Sequence, residues 1–167
     1  MTDSTYPEIE FEHDDFEFAT LEEELLVDQR CQQLLKHFFL YLQQRGMPAE
    51  RASELAFSAD LYVRDYLLDF ARQNIVCPQQ GIVRKFAASW FITHTLDPEM
   101  TMLERHLSAI AELYRFMHRQ HFISVVELAF LLEEAGQLPY YQKRIDSFTA
   151  ITGDSFVAWD TECPARF

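Results

Sequence analysis

The chain has 167 residues and is 49% hydrophobic, which fits one globular domain, with room for an appendage, whose core needs no disulfide or metal staple. Its net charge of −13 is uneven: Met1 to Gln29 carries eleven acids and no Lys or Arg, so that segment supplies −11, and residues 30–167, with sixteen acids against fourteen bases, supply −2. No run approaches about 18 apolar residues, no leader resembles a secretory signal, no basic face suits anionic lipid, and Cys31, Cys77 and Cys163 stand too far apart for a disulfide framework, so a reduced, cytoplasmic protein is expected.

Residues 1–19 form an acidic arm. In it Ile9, Phe11, Phe16 and Phe18 sit among Glu10, Glu12, Asp15 and Glu17. Such alternation describes either a segment that is disordered alone and binds a basic, greasy groove, or a short strand-like arm packed on its own body. With 15 Phe in the chain, a ring-rich core is the simpler expectation for most of them.

The body reads as helices only. Glycines and prolines punctuate long intervals, and strand-type alternation and hairpin dipeptides are absent. Thr20-Leu-Glu-Glu23 fits a capping box that opens a first helix, with Val27, Cys31, Leu34, Phe38 and Tyr41 as its inward stripe and Gly46 as its end. A second helix starts near Pro48 and stops by Asn74, with Leu55, Ala59, Val63, Tyr66 and Phe70 inward. A third covers roughly 80–95, with Val83, Phe86, Ala87 and Trp90 inward. Asp97-Pro98 predicts an N-cap and first-turn proline for a fourth helix running to about Gln120, striped by Leu103, Leu107, Ile110, Tyr114 and Met117. Ser124-Val-Val-Glu127 opens a fifth helix ending at Gly136, and a sixth begins near Pro139 and fades after Ile151, so these two should lie side by side. The tail 153–167, with Phe156, Val157 and Trp159, is expected to dock.

Chemistry-bearing residues are sparse. His118 and His121, three apart, lack a third ligand on their face and read as a solvated pair near a helix C-terminus, so no metal is assigned. His94 reads as a helix cap. No Gly-rich phosphate loop and no Gly-x-Ser-x-Gly elbow occurs. Glu133 and Glu134 are consecutive, hence not facing each other, and are expected on a solvated face. The one basic concentration is Arg105, His106, Arg115, His118, Arg119 and His121 with Arg84 and Lys85, diluted by Glu104 and Glu112. As a nucleic-acid stripe it would bind weakly and salt-dependently; ordinary helix surface charge is the favoured explanation.

The run Thr101-Met-Leu-Glu-Arg105-His106-Leu107-Ser108-Ala109-Ile110, continuing through Leu113-Tyr114-Arg115-Phe116-Met117 to Phe122-Ile123, resembles the last helix of the core-binding domain that precedes the catalytic domain of tyrosine recombinases, the phage-type integrases. Phe39, Tyr41-Leu42, Arg45-Gly46, Ser53 and Asp60-Leu61 are similar to that domain's first hairpin, with a loop about two residues longer. The likeness covers about residues 30–123. It implies a SAM-like bundle of two crossed helical hairpins and a DNA-handling ancestry. It carries over no catalytic residue: the family's second domain holds the Arg, Lys, His and Tyr groups, whereas after Ser124 only Lys143, Arg144 and Arg166 are cations, and Tyr140 and Tyr141 have no matching surroundings. Where the family often carries Arg after the Leu-Ser-Ala-Leu stretch, this chain has Ala111 and Glu112.

The expectation is therefore an all-α protein: an arm over 1–19, a SAM-like four-helix core over 20–123 and two extra helices with a tail over 124–167. Its expected role is a non-catalytic binding or regulatory module of the bacterial cytoplasm that uses an apolar groove between helices to hold a protein partner or a second copy. No cofactor, membrane or small-molecule substrate is implied. The alternative is a DNA-binding accessory domain using Arg84, Lys85, Arg105, Arg115 and Arg119, with the acidic residues 1–29 lying over the stripe as a DNA mimic that inhibits binding.

Overall fold

The computed structural model describes residues 11–151 and 155–161; Asp3, Pro7, Glu8, Ile9, Glu10, Gly153, Cys163 and Arg166 lie outside the described residues. Within them the chain is all-α, with seven helices and no strand. Helix α1 is Leu21–Gln44. Helix α2 begins as Ala49–Asp60 and runs without a break into a π-wound stretch, Leu61–Phe70. Helix α3 spans Ile82–Lys85, a second π-wound stretch Phe86–Trp90, and Phe91–Thr93. Helices α4, α5, α6 and α7 are Met100–Arg119, Val125–Ala135, Leu138–Thr149 and Ser155–Thr161.

Most ends follow local chemistry. Thr20 Oγ1 accepts the Glu23 amide at 3.2 Å, but Glu23 reaches back to the amide of Ala19 (2.8 Å) rather than to that of Thr20. Gly46, at φ +91°, turns the chain out of α1 in a left-handed conformation that a Cβ would strain. Pro48 is the N-cap of α2, one residue earlier than a first-turn proline. The Ser124 box closes in both directions, at 3.1 and 2.9 Å. Asp97-Pro98 is different. Helix α4 starts two residues later, behind Glu99, whose side chain makes no cap bond, so the Asp-Pro pair ends the preceding loop instead of opening the helix.

Helices α1 and α2 fold back on each other, and α2 packs on α4, which also meets α1, α5 and α6. Helix α5 lies on α4 and α3, while α6 lies on the π-wound part of α3. The expected side-by-side pairing of α5 and α6 is thus corrected. Gly136-Gln137 turns the chain so that each finds its apolar cover elsewhere, and one bond, Tyr141 hydroxyl to the Glu134 carbonyl, ties them. The residues of 20–123 and those after 124 share one core.

Rings dominate that core. Tyr62, Tyr66 and Phe70 stand four apart on the π-wound part of α2; Phe86, Trp90 and His94 stand four apart on and after that of α3. The two ladders interleave, with centroids 5.2 Å apart for Tyr62 and Phe86, 5.4 Å for Tyr66 and Trp90, and 5.7 Å for Phe70 and His94. Each such pair adds about 0.5–1.5 kcal/mol beyond area burial. The i−5 bond from the Ala71 amide to the Tyr66 carbonyl (2.7 Å) marks the wider winding. Phe70, placed inward by its stripe, is half exposed at the ladder's outer end.

Residues 11–18 pack on the body as a 3₁₀ turn, His13–Phe16, and not as a strand. Phe16 is fully buried, edge-on to Phe122 at 5.8 Å and to Phe11 at 5.7 Å. His13 Nε2–H donates to the Val76 carbonyl (3.0 Å), Arg30 donates to the Asp15 carbonyl, and the Arg72 guanidinium lies 5.4 Å from the Phe18 ring. This part of the arm thus engages Arg30 and Arg72, and none of Arg105, Arg115 or Arg119.

Candidate functional site

An apolar depression with a volume of about 650 Å³ lies between α1 and α2. Leu35, Lys36, Phe39 and Leu40 form one wall, starting at Gln32; Ser53, Ala56, Phe57 and Asp60 form the other. Each wall is about two helical turns long, because eight or nine residues at 1.5 Å rise span about 12 Å. Apart from buried Leu35 at its floor, the helices build it from side chains that miss their own buried stripes. Phe38 and Tyr41 point inward, leaving Phe39 and Leu40 on the flank; Leu55 and Ala59 point inward, leaving Phe57 76% exposed. An aromatic on the polar side of an amphipathic helix was the readable signal for this groove.

One end of the groove is ionic. Arg64 Nε donates to Asp28 Oδ1 at 2.9 Å and its Nη1 to Asp60 Oδ1 at 3.2 Å, while Gln32 Nε2 donates to Asp28 Oδ2 at 3.0 Å. The Arg64 hydrogen bond holds the Asp28 carboxyl below its ordinary value, whereas burial and then Asp60 raise that of Asp65. Three carboxylates therefore crowd one guanidinium.

Several cations of the predicted basic stripe are already engaged within the chain. Arg105, Arg115 and Arg119 are exposed on α4, yet Arg115 is bonded to Glu112 at 2.9 Å, Arg45 also reaches Glu112 at 3.6 Å, and Arg119 lies over the Tyr41 ring at 5.7 Å. Arg84, on α3, spends its Nε–H on Gln137 (2.9 Å). His106 is buried edge-on to Phe91 and Phe86, and burial, then Arg105, lower its pKa, so it adds no surface charge. His118 Nδ1–H donates to the Ile123 carbonyl (3.1 Å), and His121 lies past the helix end at φ +65°, which breaks the helical spacing assumed for the pair. His94 caps α3 through Nδ1–H to the Trp90 carbonyl (2.8 Å). Among the described residues no group of three metal-ligating side chains occurs.

Three buried polar groups act structurally. The expectation of a solvated Glu133–Glu134 face fails for Glu134: it is 4% exposed, and its carboxylate accepts the Gly81 and Arg84 amides, each at 3.0 Å. It caps α3, whose own N-cap, Gly81, has no side chain to offer. Arg144 is buried too, donating to the Ala88 carbonyl (2.9 Å) and the Trp159 carbonyl (2.7 Å) under the Trp159 ring, so it is not a surface cation. That seat docks α7, as expected of Trp159; Phe156 and Val157 stay exposed. Tyr141 is fully buried, its hydroxyl held by the Glu134 carbonyl.

A second depression, about 570 Å³, lies where Met47, Leu55 and Leu107 meet Leu132 and Leu138, but Glu104, Glu112, Arg51 and Arg115 rim it with balanced charge. No helix of the described residues is long and apolar enough to cross a membrane. No protein-family model, no curated protein and no solved structure matches this chain.

Proposed function

We propose that this chain is a non-catalytic helical binding or regulatory module of the cytoplasm, and that it holds another protein in the groove between α1 and α2. The observation that carries the reading is the contiguous apolar lining of Phe39, Leu40, Ala56 and Phe57 over buried Leu35, topped by a Phe57 that is 76% exposed. An exposed apolar patch rimmed by polar groups is a costly feature that binding removes. The resemblance of residues 30–123 to a SAM-like core-binding domain belongs to the same proposal: the α1–α2 hairpin and α4 pack around one interior, as such a bundle requires.

DNA binding is the second reading, supported by the exposure of Arg105, Arg115 and Arg119 on α4 and weakened by Glu112, which already engages Arg45 and Arg115. The test pairs wild-type protein with Phe57→Ser as baits, with light scattering on each. A protein retained by wild type and lost by Phe57→Ser, at unchanged thermal stability, supports the protein-binding reading. Free monomer alone in both measurements defeats it.

A further inference from the structure

Resting on the groove reading above, we propose that the occupant of the α1–α2 groove is an amphipathic helix of a partner protein, with apolar residues at i, i+3 and i+7 and basic residues at the end that lies over Asp60 and Asp65. The dimensions select a helix. Each wall offers two turns of side chains at helical spacing, and the matching ligand geometry is a ridge of anchors one, four and eight residues along. An extended strand has no edge to pair with here, because the described residues contain no sheet.

Charge selects the sign. At the ionic end of the groove Asp60 and Asp28 pair with Arg64, and Asp65 lies close enough to feel Asp60, so three acids stand against one guanidinium, a net of −2 at that end. Arg64 is already shared between Asp28 and Asp60. Asp65 is exposed and has no cation of its own. Lys36 is exposed on the α1 wall and does not reverse the balance. The chain as a whole carries −13, so its long-range field draws cationic partners and repels acidic ones. The positive N-terminal end of a docked helix is likewise favoured at the Asp60 end.

The experiment uses the full chain and two designed helical peptides with the same leucine anchors, one carrying three Lys at its N-terminal end and one carrying three Glu there. Binding is read by fluorescence anisotropy at low and high salt, with wild type, Phe57→Ser and Asp65→Asn. Both substituted residues are exposed, so the variants retain the core. The expected result is that the Lys peptide binds about tenfold tighter than the Glu peptide at low salt. That ratio should shrink with salt and in Asp65→Asn, and Phe57→Ser should abolish binding. Equal affinity for both peptides, still lost in Phe57→Ser, overturns the basic partner and leaves the groove reading standing. Binding indifferent to Phe57→Ser, or no binding at about 1 mM, overturns both. A concentration-dependent dimer that Phe57→Ser converts to monomer names a second copy as the occupant and also overturns the proposal.

Discussion

Glu134 carries a disproportionate share of the fold for one side chain. Its carboxylate meets the amides of Gly81 and Arg84, 53 and 50 residues earlier, at the end of α3 where the helix dipole is positive. Glu134→Ala leaves those partly buried amides without their acceptor, and should cost about 3 kcal/mol in a urea titration, from two charge-assisted bonds worth about 1.5–3 kcal/mol each with partial compensation by water. Glu134→Gln keeps one acceptor and should cost less. The sequence held a hint of this: Glu134 follows buried Leu131 by three residues and so falls on the inward side of α5. Reading Glu133 and Glu134 only against each other hid it. His106 gives a second prediction. Its folded pKa lies below the ordinary 6.5, so the unfolded chain binds the proton first. Stability should therefore be fully present above about pH 7 and fall as pH drops through 6.5, with a slope of at most ~1.4 kcal/mol per pH unit, levelling below the folded pKa. In His106→Leu the urea midpoint should be flatter over that window; an unchanged slope would assign the pH dependence to other groups.

Among elements, the stripes and caps were legible because they are local: the inward residues of α1, α4 and most of α2 and α3 follow 3.6-residue periodicity, and Ser124 and Thr20 cap through neighbours three residues on. What was not legible depends on contacts distant in sequence. The wide winding of Leu61–Phe70 and Phe86–Trp90 arises where two ring ladders must interleave, and neither ladder knows its partner locally. Likewise the groove exists only because α1 and α2 splay their off-stripe rings together. The ladder region offers a clean test. Tyr62 and Tyr114 hydroxyls are 2.7 Å apart, fully buried, and both are held neutral, their pKa values raised chiefly by burial. Tyr62→Phe or Tyr114→Phe alone strands the other hydroxyl and should cost about 1–3 kcal/mol. The double Phe variant should lose less than the sum of the two, with a coupling of about 1 kcal/mol or more in the cycle. Strict additivity would mean that the two hydroxyls do not sustain each other.

For the whole molecule, the uneven charge sets the decisive comparison. If the acidic arm screened a DNA stripe, removing it should release binding. Yet Phe16 is a core residue, so cutting at residue 19 also opens the face of Phe122; Phe16→Ala alone should cost about 3 kcal/mol. A cut after residue 10 avoids this: it removes Asp3, Glu8 and Glu10 and keeps the Phe16 seat. The exposed cations of α4 are few, and Glu112 holds one of them, so the phosphate contacts available are too few for strong counterion release. The expected outcome is that full-length and shortened proteins both ignore duplex DNA at low salt, while Glu112→Gln in the shortened chain, which frees Arg45 and Arg115, produces at most weak binding with a shallow salt slope. Tight binding that appears on shortening alone, with a steep salt slope, would replace the protein-groove reading with the DNA one, because removing only three negative charges would then have unmasked a surface built for phosphate.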